Sequence, residues 1–98
     1  MRNLDDLIRR LAENSSRAEI MEVLDSEAAA TERVMRRRQR VHIRSDQVDK
    51  SQEAQLRRER IHRILFFLHH HAPAQGATDA DMKLYDLLNE RLRSRGEW

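Results

Sequence analysis

Ninety-eight residues, 39% of them apolar and 37% charged, suffice for one small core and leave no room for a second domain. Two glycines, one proline and no cysteine exclude a disulfide-stapled fold and any thiolate metal site, and they leave few points at which a helix must stop. The net charge of +2 conceals sorting along the chain: residues 1–32 are net −4, residues 33–63 net +7 and residues 64–98 net −1, a pattern that points to association, within the fold or with a partner.

The spacing predicts an all-α protein, a single domain over residues 1–98 with four helices near 3–14, 16–43, 46–70 and 78–95. In the first, Leu4, Leu7, Ile8 and Leu11 fall on one face, Asn3 is the cap, and Asp5 and Asp6 sit where the helix dipole favours acids. "SRAE" at 16–19 reads as a capping box that starts the second helix, with Ser16 reaching forward and Glu19 reaching back. A break is expected near 43–46, where Ser45 or Asp46 can cap a third helix. The alternative is one rod from 17 to about 70, longer than ~80 Å, which a chain of this size cannot cover.

Folding back at 43–46 makes a long central helical hairpin. It sets Ile20, Met21 and Leu24 against Leu65 and Leu68, brings Val34 near Leu56, and carries Glu27 and Glu32 toward Arg57 and Arg58. "HAPAQGA" at 71–77 is a loop. "TDAD" at 78–81 caps a fourth helix bearing Met82, Leu84, Tyr85, Leu87, Leu88 and Leu92, which Gly96 ends. Trp98 follows that glycine and is expected to fray unless another chain holds it.

Residues 33–44 hold six arginines and no acid. On a helix Arg33, Arg36, Arg37, Arg40 and Arg44 share one face, and their i, i+4 repulsions cost a few tenths of a kcal/mol each. Water and counterions can absorb that cost. So can the acidic residues 17–32 of a second copy laid antiparallel, as in a two-fold dimer, or a protein target. Nucleic acid is a third source of negative charge. The chain has few aromatics and no helix-turn-helix signature, which makes nucleic acid the weaker alternative.

Arg38 departs from this face and lies on the apolar stripe. It reads as a snorkelling side chain with its head in water or paired across the hairpin with Asp49 or Glu53; the alternative is the anion site of a small helical enzyme.

"LFFLHHH" at 65–71 suggests metal binding only superficially. Consecutive histidines on a helix diverge by about 100° and cannot chelate one ion from one face. They suit a helix C-terminus instead. Arg-x4-His recurs at Arg37/His42 and Arg57/His62, as expected by chance in so arginine-rich a chain. Five apolar residues at 64–68 wrap most of a helix circumference, so either the first and fourth helices cover both Phe66 and Phe67, or one of the two anchors a dimer or partner interface, where aromatics dominate binding energy.

The expectation is therefore a non-catalytic regulatory or adaptor protein with no cofactor, metal, small-molecule substrate or membrane anchor. It works as a homodimer on a protein target in the cytoplasm, with Arg33, Arg36, Arg37, Arg40 and Arg44 binding the partner and Phe66 and Phe67 at the interface. This small, charge-sorted style is similar to that of antiactivator and inhibitor proteins, although no motif is shared.

Overall fold

A computed structural model describes residues 3–39 and 45–98, with side chains over 3–36 and 52–98. It contains α1 (Leu4–Asn14), α2 (Arg17–Gln39), α3 (Ser45–His70) and α4 (Asp79–Ser94) and no strand among the described residues.

Each cap follows from local chemistry. The Asn3 side chain accepts from the Asp5 amide at 2.9 Å. Ser16 Oγ accepts from the Glu19 amide at 3.2 Å, while the Glu19 carboxylate accepts from the Ser16 hydroxyl rather than reaching a backbone amide. Thr78 and Asp81 make the full reciprocal capping box. At the buried face of α1, Ala12 takes the position expected of Leu11, which packs half-buried at the margin.

α2 and α3 lie antiparallel. Arg17, at the start of α2, donates to the Leu68 carbonyl near the end of α3 at 2.9 Å, and Glu27 meets Arg57 at 3.2 Å. A single rod would hold residues 17 and 68 about 75 Å apart. The expected break at 43–46 falls partly on residues 40–44, which lie outside the described residues. Of the expected neighbours Val34 and Leu56, Leu56 is 63% exposed, and Val34 lines a groove shared with Ala54 and Arg57.

One core joins Ile20, Leu24 and Ala28 of α2 to Ile61, Ile64, Leu65, Phe67 and Leu68 of α3, and α1 and α4 cover it with Leu4, Leu7, Ile8, Leu84, Tyr85, Leu88 and Leu92. The apolar material is concentrated at this end, so the other ends of α2 and α3 extend beyond it and the molecule measures 49 × 23 × 20 Å.

Two positive-φ residues shape the rim of the core. His71, immediately after α3, has φ 53°, a conformation that costs an ordinary side chain about 1 kcal/mol. Its ring stacks on Trp98 at 3.9 Å, and Nε2 lies 2.8 Å from Asn89 Oδ1. Gly96, at φ 74°, turns the chain after α4 and allows Trp98 to dock. Trp98 is thus held within its own chain, against the expectation that it frays: it meets Phe67 edge-on at 5.5 Å, and the Arg17 guanidinium lies 5.9 Å from its ring.

Arg95 secures the end of α1 by donating to the Ala12, Glu13 and Ser15 carbonyls. Replacing it with alanine is expected to cost about 1 kcal/mol, a fall of roughly 4–8 °C in thermal midpoint, and to raise amide exchange in α1 before α2 and α3. Circular dichroism melts and hydrogen exchange check both.

Candidate protein-binding face

Of the five acids of α2, Glu19 belongs to the Ser16 cap and the other four divide into two sets. Glu27 and Glu32 point toward α3 and are paired, Glu27 with Arg57 at 3.2 Å and Glu32 with Arg58 at 3.5 Å, as their register suggests. Glu22 and Asp25 point outward, on a continuous exposed stripe of Ala18, Glu22, Asp25, Ala29, Arg33 and Arg36. The spacings of four, three, four, four and three residues hold all six on one side of the helix. None of the four charged groups has an ion-pair partner among the described residues.

Of the five arginines expected to bind a partner, Arg33 and Arg36 are exposed side by side on this stripe. Arg37 lies in α2, but its side chain falls outside the described residues, as does that of Arg38. Arg40 and Arg44 lie outside the described residues altogether.

An open apolar groove of about 200 Å³ runs between α2 and α3, on the side of α2 away from the stripe, lined by Ala30, Thr31, Val34 and Ala54 and flanked by the Glu27–Arg57 pair. Thr31 contributes its methyl group here, because its hydroxyl donates back to the Glu27 carbonyl at 2.8 Å.

The two phenylalanines separate cleanly. Phe66 is 42% exposed, its ring 4.4 Å from that of His70, whereas Phe67 is 5% exposed and stacked on Tyr85 at 4.4 Å. Phe67 therefore belongs to the core and is not available as a surface contact. Leu56 and Met82 are the other large apolar side chains exposed among the described residues.

Sequence reasoning passed over one cluster. Asp81 is fully buried and accepts from the Thr78 amide at 3.0 Å, from Arg60 Nε at 3.2 Å and from Arg63 Nε at 2.5 Å; Arg60 also pairs with Asp5. Burial pushes the Asp81 carboxyl up, but the Thr78 amide and the two guanidinium groups together outweigh it and hold the pKa below the ordinary carboxylate value. Nearby, the Tyr85 hydroxyl donates to the Arg63 carbonyl at 3.1 Å, and burial above all raises its pKa. Both carboxylate oxygens of Asp81 are occupied, so the cluster locks α4 onto α3. The available signal was the capping-box Asp81 itself, together with Arg60 and Arg63 interleaved with the core residues Ile61 and Ile64.

Among the described residues no group of three or more histidines, aspartates or glutamates is placed to hold a metal ion, and no helix is long and apolar enough to cross a membrane. No family model, curated protein or solved structure matches the chain.

Proposed function

We infer that this chain is a small regulatory or adaptor protein that acts without catalysis, by binding protein through its helical faces. The observation that carries the reading is the outer stripe of α2: the acids facing α3 are paired, while Glu22, Asp25, Arg33 and Arg36 are left exposed. Exposed charges of both signs on one side of a helix make a face that can select a partner by electrostatic complementarity. Phe66 and Leu56, exposed on α3, offer apolar anchors. The proposed setting is the cytoplasm, which suits a chain without cysteine. No cofactor, membrane or small-molecule substrate enters the reading.

Capture from a lysate of the native cell tests it. The wild-type chain is expected to retain a protein that Arg33→Glu/Arg36→Glu loses, whereas an identical set of proteins on both would contradict the role of this face. Binding to nucleic acid is the second reading, favoured by the exposure of Arg33 and Arg36. Glu22 and Asp25 on the same stripe oppose it, because they repel phosphate. Salt-sensitive binding of DNA or RNA by the wild type, abolished in the double variant, would replace the protein reading with this one.

A further inference from the structure

The outer stripe of α2 has an internal symmetry. Counting from Ala29, Arg33 lies four residues after it and Asp25 four before; Arg36 lies seven after and Glu22 seven before. All five are exposed on the same side of one helix. An α-helix rises 1.5 Å per residue, so equal steps from Ala29 are equal distances along the axis.

We propose that this stripe is a self-association surface, on which α2 of a second copy packs antiparallel about a two-fold axis at Ala29, with Arg33 facing Asp25 of the other copy and Arg36 facing Glu22. The proposal rests on the reading of α2 as a protein-binding face and names its occupant.

The charge pattern selects this partner and orientation. In a parallel pair, arginine faces arginine and acid faces acid. A uniformly acidic surface, or a nucleic acid, satisfies Arg33 and Arg36 but is repelled by Glu22 and Asp25, and a uniformly basic surface has the converse problem. A two-fold copy satisfies all four groups at once, each contact occurring twice by symmetry. At the centre, Ala29 is flanked by Ser26 and Ala30, and small side chains there allow the two helices to approach closely.

The structure also explains why these acids and not others take part. Glu27 and Glu32 are engaged by Arg57 and Arg58, which leaves Glu22 and Asp25 free to answer the arginines of another copy. Exposed ion pairs are individually weak and are screened by salt. The dimer is accordingly weak, and its dissociation constant is expected to rise about tenfold or more between low and high salt.

Charge exchange tests the register. Asp25→Arg places arginine opposite Arg33, and Arg33→Asp places aspartate opposite Asp25, so each variant alone is expected to sediment as a monomer at concentrations where the wild type is dimeric. Mixed in equal amounts, the two variants become complementary at both contacts and are expected to regain the dimer mass. Circular dichroism confirms that each variant is folded.

Because the chain has no cysteine, Ala29→Cys supplies an independent measurement. Oxidation is expected to cross-link it into a covalent dimer at the two-fold axis. Asp86→Cys, exposed on α4, is expected to remain uncross-linked under the same conditions. Failure of the mixture to regain the dimer, or equal cross-linking at both positions, would overturn the proposal. A monomeric wild type that still captures a protein through Arg33 and Arg36 would sink the self-association alone; loss of both would also remove the reading on which it rests.

Discussion

Replacing Asp81 with alanine is expected to cost about 3 kcal/mol, the largest loss from any polar substitution in the described structure. The change removes the carboxylate that accepts from the Thr78 amide at the start of α4, deprives Arg63 of its carboxylate and leaves Arg60 with Asp5 alone. A domain of this size has about 5–15 kcal/mol of stability in total, so the thermal midpoint is expected to fall by more than about 10 °C. Asp5→Ala is expected to cost less than about 1 kcal/mol, because Asp5 is partly solvated and Arg60 keeps Asp81.

The pH dependence follows with a definite sign. Because the pKa of Asp81 is lower in the folded chain than in the unfolded one, its contribution is fully present above the unfolded value of about 3.8 and is lost as pH falls through the lower folded value. Below about pH 4 the wild type should therefore lose stability more steeply than Asp81→Asn, while near neutrality the wild type is the more stable of the two. Urea titrations at both pH values measure the difference.

The second large effect separates two adjacent phenylalanines. Phe67→Ala is expected to cost about 3–4 kcal/mol, because it empties a buried site between Tyr85, His71 and Trp98. Phe66→Ala is expected to cost less than about 1 kcal/mol, since much of its ring already meets solvent. Denaturant midpoints of the two variants give the comparison. Trp98 fluorescence should change for Phe67→Ala, whose ring touches the indole.

Much of the architecture was legible because short-range chemistry marks it. Asn3, Ser16 and Thr78 locate three helix starts, and the matching of apolar ends between residues 20–24 and 64–68 places Glu27 and Glu32 opposite Arg57 and Arg58. Rotational details were not legible. α2 and α3 have apolar residues distributed around much of their circumference, so period alone could not say that Leu56 faces outward or which phenylalanine is buried.

The Asp81 cluster depends on residues about twenty positions apart: the capping-box Asp81 and the interleaving of Arg60 and Arg63 with Ile61 and Ile64 are visible, but spacing alone does not pair them in a chain with nineteen Lys and Arg residues. The docking of Trp98 depends on the turn at Gly96 and on His71 in a conformation usually left to glycine; the sequence shows the first and hides the second. On the candidate face, the arginine stripe was visible as a pattern. That it continues into unpaired acids on the same side of α2 emerged only once Glu27 and Glu32 were seen to be engaged by α3.

Sedimentation equilibrium of the wild-type chain in low-salt buffer, from about 5 to about 500 µM, tests most directly whether α2 carries a face built for association. The expected result is an average mass that climbs from 11.7 kDa toward twice that value and falls back when salt is added. A mass fixed at 11.7 kDa over the whole range, at low salt, would contradict it.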